Sequence, residues 1–447
     1  MQNDPRDIIN REPMGRLQVL AVGICIFLNA LDGFDVLAIT FAAPSIAADW
    51  GMGPGAIGIV ISTGLIGMAF GSIFLAPLAD RYGRRKIILS CIVVMGCGML
   101  LSATATDMIT LSLYRFGTGL GIGAMLASIN AMAAEFSNEK RRDFCISIMT
   151  SGYPIGGVLG GSVAVILLQN YDWQAVFIFG GVVTLATLPV VMFGLPESIS
   201  FLSHHKGEAA LDKINGILRR MGHSEASHVT MPDTPHARSR MKDLFAPEMI
   251  RHTMTLTASY FLHIMTFYYV MGWVPSIVTA LGFDKAVGTS VSVWVSIGGV
   301  VGGSLLGWTA ATFGLRKLTI ILMMATGSFV ILFGLITPEI GMLKAVAFLL
   351  GFCMFGGVVG LYALTAKAFP TRLRATGTGF VIGIGRAGAA VGPVIAGFLL
   401  VSGMDRGGVA TTMAIGSILA AIALTVGYRN MSEKKQADAI ASSGSSN

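Results

Sequence analysis

The residues Gly71-Ser72-Ile73-Phe74-Leu75-Ala76-Pro77-Leu78-Ala79-Asp80-Arg81-Tyr82-Gly83-Arg84-Arg85-Lys86 decide the fold. An apolar run closes on one acid, a Tyr-Gly turn and a burst of cations. A related pattern returns 231 residues later as Gly302-Gly303-Ser304 through Phe313-Gly314-Leu315-Arg316-Lys317, at the end of another apolar run. A helix end that repeats at so long a period marks two similar halves, not a short-repeat array. The second copy differs at one point: Ala311 stands where the first has Asp80.

The rest of the chain fits this frame. Of 447 residues, 53% are hydrophobic and 12% charged, against about 25% charged in soluble domains. A bilayer core takes about 20 apolar residues per helix. Twelve such runs lie near 17–42, 55–79, 86–105, 108–135, 143–168, 173–194, 252–280, 287–312, 317–336, 341–366, 373–401 and 407–428. The one long polar stretch, 195–251, divides them six and six. The expected fold is an all-α membrane protein of twelve transmembrane helices in two pseudo-symmetric six-helix bundles. Its parts are an N-terminal tail (1–16), a first bundle (17–194), a linker (195–251), a second bundle (252–428) and a C-terminal tail (429–447).

The net charge of +7 could suggest nucleic acid, but position argues otherwise. With the N-terminus placed inside, 26 of the 31 Lys and Arg fall on the inner side and only Lys285, Lys344 and Arg406 on the outer. This is the positive-inside pattern of a multi-pass protein with both termini cytoplasmic, so no nucleic-acid partner is expected. The first apolar run is too long for a cleavable signal and lacks a small-residue cleavage site. The 57 glycines suit close helix packing in lipid, and the five cysteines read as small buried hydrophobes.

The stretch ending at Lys86 resembles the loop signature of the major facilitator superfamily, and Arg115-Phe116-Gly117-Thr118-Gly119-Leu120-Gly121-Ile122-Gly123 is a second element similar to it. Gly83 permits a tight turn, and Arg81, Arg84 and Arg85 hold the loop at an anionic membrane face. Asp80 can pair with an Arg or face a helix N-terminus. The loop therefore reads as a conformational latch, against the plainer reading of a basic inner loop.

Arg115, inside a span, needs a partner, because an unpaired cation there costs at least about 2.5–3.5 kcal/mol. It lies about seven residues, or roughly 10 Å, below the outer edge of helix four. Asp35 is expected at a similar depth on helix one, and Asp32 shares its face three residues away. Two carboxylates in a low-dielectric cavity do not easily both ionise, so one should hold a proton near neutrality and could carry it across. The alternative is a static Asp–Arg pair joining two helices.

Leu31-Asp32-Gly33-Phe34-Asp35-Val36 followed by Ala43-Pro44 resembles the aromatic acid:proton symporter family within that superfamily, carriers of benzoate, 4-hydroxybenzoate and protocatechuate. Further matches are Glu135 in Ala133-Ala134-Glu135-Phe136 and the run from Phe369-Pro370-Thr371-Arg372-Leu373-Arg374 to Gly383-Ile384-Gly385-Arg386. The resemblance covers nearly all twelve helices. It implies proton coupling and transport at Asp32 and Asp35, with Glu135, Arg374 and Arg386 as the other required charges. The family usually carries an acid and a His between helices eight and nine, where this chain aligns Ala311 and Arg316.

Arg386 is expected roughly 18 Å into helix eleven, near the midplane, where its fork could receive a carboxylate; a structural Arg paired to a fixed acid is the alternative. On helix seven, Tyr260, His263, Phe267 and Tyr268 could meet a phenolic ring, or simply pack. Glu135 with Arg142, and Lys367 to Arg374 in the other half, read as inner-gate ion pairs or as solvated loop faces. Pro154 reads as a kink in helix five. No enzyme constellation, Walker loop or metal-ligand spacing is visible, so no cofactor is expected and the drive would be a proton gradient. The expected function is import of an aromatic carboxylate by proton symport, by a monomer in a bacterial inner membrane. The rivals are a carrier of a sugar, a dicarboxylate or a drug, and a non-transporting receptor on the same fold.

Overall fold

The computed structural model describes residues 4–203, 208–228, 241–370 and 373–428. Among them every element is helical. Twelve helices are long and apolar enough to cross a bilayer: α1 (Arg16–Trp50), α2 (Pro54–Leu75), α3 (Arg84–Ala103), α4 (Met108–Glu135), α5 (Phe144–Asn170), α6 (Gln174–Gly194), α7 (Ile250–Ala280), α8 (Lys285–Leu306), α9 (Leu315–Leu335), α10 (Ile340–Ala368), α11 (Thr376–Val401) and α12 (Arg406–Gly427). Local chemistry sets several of their ends. Asp107 caps α4 by accepting from the amides of Ile109 and Thr110 at 2.9 Å, and Asp405 caps α12 in the same way through Gly407 and Gly408.

The main departure from the expected spans is at α1. Sequence reading stops it at 42, ahead of Pro44, yet the helix runs on to Trp50 and ends where Gly51 turns left-handed at φ 62°. Proline removes one amide donor, but neighbouring helices and side-chain hydroxyls can hold a membrane helix together across it. Asp32 and Asp35 therefore lie near the middle of a 35-residue helix.

Duplication is visible in how glycines let backbones touch. A Cβ on Gly67 would fall 2.2 Å from the carbonyl oxygen of Phe116, and one on Gly71 2.1 Å from that of Leu120. In the second half the values are 2.0 Å from Gly298 to Phe348 and 2.1 Å from Gly302 to Phe352. The α1–α5 pair repeats as α7–α11: Gly152 and Gly156 sit on the carbonyls of Ile26 and Ala30, and Gly388 and Gly392 on those of Phe261 and Met265. The glycines of the two loops share one conformation, Gly83 at φ 102° and Gly314 at φ 81°.

The halves meet along two seams, α2 against α11 and α5 against α8. On the first, Gly58 and Gly397 press on the carbonyls of Pro393 and Pro54; on the second, Gly157 faces Ser296. The polar stretch after α6 is more than a bare connector. Its helix Glu208–Met221 buries Ile214, Leu218 and Met221 under the first half, and the main chain of Met221 packs on Gly15. His223 then faces Glu12 at 2.7 Å and Gln18 at 2.8 Å, tying this segment to the start of α1. The C-terminal tail lies outside the described residues.

Candidate substrate and coupling site

Asp32 and Asp35 are 1% and 0% exposed, and none of their four carboxylate oxygens has a hydrogen-bond partner. Arg115 does approach α1, but not as an ion pair. Its Nη2 donates to the backbone carbonyl of Asp35 at 2.7 Å, its Nη1 meets Met99 Sδ at 3.1 Å, and its guanidinium lies 5.8 Å from the Phe177 ring. The expected Asp–Arg hydrogen-bonded pair is thus corrected to an Arg–carbonyl contact. The matching depth itself holds, since the two residues meet, although Asp35 lies fifteen residues before the end of α1 at Trp50.

The two acids look different ways. A Cβ on Gly180 of α6 would sit 3.5 Å from Asp35 Oδ1, so this carboxyl points into the first half. Asp32 lies within electrostatic reach of Arg386 in the other half. Arg386 crosses the α2–α11 seam and donates from Nη1 to Ser72 Oγ at 2.5 Å. Ser72 in turn donates toward the carbonyls of Met68 and Gly123, inside a π turn over Gly71–Leu75. Such turns insert a residue into the helical ladder and are frequent at functional sites.

Several phenols feel this guanidinium. Tyr153 of α5 and Tyr260 and Tyr268 of α7 all lie within its electrostatic reach, and the Tyr260 hydroxyl bonds that of Tyr362 of α10 at 3.0 Å. The bare Gly385 admits the Tyr260 ring beside Arg386: a Cβ there would lie 1.9 Å from the ring. Tyr153, Tyr362 and Ser72 escaped the sequence reading. Tyr153 sits among glycines beside Pro154, where the sequence draws attention to the kink; a polar aromatic inside a span is the available signal.

Two helix-seven candidates are corrected. His263 is fully buried inside the second half, with Nδ1 2.9 Å from Ser417 Oγ and Nε2 3.1 Å from the Met354 carbonyl. Both nitrogens are spent on joining α7 to α12 and α10, which leaves no polar edge for substrate. Phe267 is 4% exposed and packs edge-on against Phe355 at 4.8 Å and beside Tyr268 at 5.2 Å, so it backs a site residue without needing contact.

At the opposite level, the signature loop is held within the first half. Arg84 pairs with Glu135, Ser198 Oγ donates to the other oxygen of Glu135 at 2.5 Å, and Asp80, largely exposed, stands 3.8 Å from Arg84. Glu197 accepts from the amide of Arg85 at 3.0 Å and covers Gly83, where any Cβ would strike its carboxylate. Arg85 also caps the Met192 carbonyl, and Arg81 lies over the ring of Tyr82 at 5.4 Å. The structure therefore does not bring Glu135 to Asp32 and Asp35. Nor does Arg142 pair with it: Arg142 donates to the Ala134 carbonyl and to Asn10 Oδ1 instead. Glu197 and Ser198, at the start of the polar linker, carry no signal in the sequence that marks them for this role. The side chain of Arg374 lies outside the described residues.

Two cavities lie between the halves. The inner one, lined by Arg115, Tyr268, Gly64 and Gly272 among others, has about 20 Å³, room for roughly one water. A larger one of about 480 Å³ lies between the ends of α1, α2, α7, α11 and α12.

Two repeated six-helix halves that enclose unpaired acids and a seam-crossing Arg define a membrane carrier. The chain belongs to the Major Facilitator Superfamily, whose sequence model matches residues 24–254 and 256–444. It is 31% identical to the gallate transporter of Pseudomonas putida, over 94% of each chain. It is 30% identical to the 4-hydroxybenzoate transporter PcaK of the same organism over 95% of each, and 30% identical to the 3-(3-hydroxy-phenyl)propionate transporter of Escherichia coli K12 over 91% of this chain and 93% of that one. Among solved structures, the inward-open xylose transporter XylE from E. coli shares the fold with a TM-score of 0.70 at 17% identity, covering 92% of this chain and 96% of that one.

Proposed function

We propose that this protein imports an aromatic carboxylate together with protons across a bacterial inner membrane, by rocking its two halves about the Asp32–Arg386 site. The observation that carries the reading is one guanidinium that crosses the seam between halves to Ser72, within electrostatic reach of three phenols and of a buried acid with no hydrogen-bond partner. An Arg fork matches a carboxylate, and tyrosines offer both an aromatic face and a hydroxyl to a phenolic ring. The relatives named for gallate, 4-hydroxybenzoate and hydroxyphenylpropionate support the substrate class.

In the cycle the cation-poor loops face outward. Substrate enters from that side, its carboxylate replaces Ser72 on Arg386, and a proton joins Asp32. Neutralising the acid removes the cost of an unpaired buried charge, so the loaded halves can close over it. The halves then rock; substrate and proton leave on the side of the signature loop, and the empty carrier returns. Each net positive charge moved inward down 100 mV contributes about 2.3 kcal/mol, so excess protons over carboxylate would drive accumulation without any cofactor. The chain works as a monomer in this scheme. Uptake of labelled 4-hydroxybenzoate, protocatechuate, vanillate and glucose by expressing cells, with and without a protonophore, is the test. Protonophore-sensitive uptake of the acids is expected; uptake of glucose alone refutes the assignment.

A further inference from the structure

We infer that the 480 Å³ cavity at the ends of α1, α2, α7, α11 and α12 is a second binding site for the aromatic carboxylate, an entry station stacked above the Asp32–Arg386 site. The inference rests on the reading of an aromatic-acid importer with that end outward.

Its lining is mostly apolar, as small-molecule sites are, and has a single formal charge, Arg406. Arg406 is held by one arm only. Its Nη2 donates to the Ile336 carbonyl at 3.0 Å, whereas Nη1 is buried without a partner. The hydroxyl oxygen of Ser276, also on the lining, is buried and unbonded too. Tyr269 and Trp273 line the same cavity as Arg406 and form an aromatic wall. A buried guanidinium nitrogen without an acceptor calls for an anion, and an aromatic wall calls for a ring. A ring bearing a carboxylate meets both needs at once. Arg406 is also one of only three cations on the outer side in that topology, so an arriving anion meets it with little competition.

The floor of this cavity explains why the station is separate. Trp273 donates Nε1–H to the Pro393 carbonyl at 3.1 Å, wedged where Gly58 and Gly397 let α2 and α11 touch. Below it, Tyr268 and Gly272 line the 20 Å³ inner cavity. The same stretch of α7 thus serves both levels: Tyr269, Trp273 and Ser276 above, Tyr268 and Gly272 below. Opening the α2–α11 seam frees the edge of Trp273 and joins the two.

The test is equilibrium dialysis of labelled 4-hydroxybenzoate against the full chain in lipid nanodiscs, with uptake kinetics in proteoliposomes. Wild type should bind a second molecule per chain. Arg406→Gln should lose that second molecule and raise KM roughly tenfold with kcat little changed, the pattern of lost capture ahead of an intact central site. Arg386→Gln should lose the central molecule and keep the outer one. Since Arg406 also caps α9, Ala280→Trp provides an independent check: it fills the mouth from an exposed position and should also abolish the outer molecule. Saturation of wild type at a single molecule, with Arg406→Gln and Ala280→Trp indistinguishable from it, overturns the second site while leaving the importer standing. Absence of both binding and flux for 4-hydroxybenzoate and protocatechuate in wild type brings down the importer itself.

Discussion

Asp32 and Asp35 share a helix face, yet only Asp32 looks across the seam to Arg386, while Asp35 is turned toward α6 and Arg115. The pair is therefore not interchangeable. Asp32→Asn, which keeps the shape and loses the titration, should abolish accumulation under a pH gradient while leaving exchange of labelled for unlabelled acid across proteoliposomes. Normal accumulation by that variant would move the proton role to Asp35, because Glu135 is occupied by Arg84 and Ser198. Arg386→Lys keeps the charge but forfeits the fork. It should weaken acid binding by about 1.5–3 kcal/mol, roughly ten- to a hundredfold, measured by dialysis. Charges inside spans were the most legible feature of the sequence, because lipid tolerates few of them. Their partners were not. Arg115 was matched to a carboxylate on the ground that opposite charges attract, whereas the folded chain gives it a carbonyl and a sulfur. His263 is an imidazole deep inside a span, and its two bonds to Ser417 and Met354 depend on α10 and α12, which sequence spacing does not place.

Helices are positioned here by bare backbone as much as by side chains. Gly156 lets α5 rest on Ala30 and Gly392 lets α11 rest on Met265, the same contact in each half; a methyl would meet carbonyl oxygen at 1.8 Å and 2.3 Å. Gly156→Ala and Gly392→Ala should each destabilise by about 1–3 kcal/mol through overpacking, read as a lower melting temperature in detergent. Gly117→Ala, with nothing within 4 Å of its Cβ, is the control and should melt as wild type. Equal losses in all three would rule out close fit as what distinguishes these glycines, because helix propensity alone favours Ala over Gly. The number and order of the elements were readable because a bilayer demands a fixed apolar length. The ends were less so: a proline at 44 reads as a stop, and only the surrounding helices and the left-handed Gly51 show that α1 continues. The linker reads from sequence only as a long polar stretch, because its amphipathic helix finds its apolar partner only under the folded first half.

For all their matched glycines, the two halves do not close with the same chemistry. Around Gly83 the first half gathers Arg84, Glu135, Ser198 and Glu197, whereas around Gly314 the second has Ala311 in the place of Asp80, and Arg316 donates to the carbonyls of Leu424 and Thr425 at the end of α12. The contacts around Gly83 should latch the first half's loop end against rearrangement. The Arg84–Glu135 pair is only partly exposed, at 18% and 21%, so water screens it less than a surface pair and its loss should be felt. Glu135→Gln retains the size and the contact with Ser198 but not the ion pair. Because Glu135 closes α4 and takes no part in the Arg386 cluster, the change should act on the rate at which the halves interconvert and spare the affinity for substrate. In proteoliposomes driven by a pH gradient, kcat for 4-hydroxybenzoate should change severalfold with KM held within about twofold, the split expected when a conformational step limits turnover. A raised KM at unchanged kcat would instead place Glu135 on the substrate path, and the latch would have to be sought among Asp80, Arg85 and Glu197.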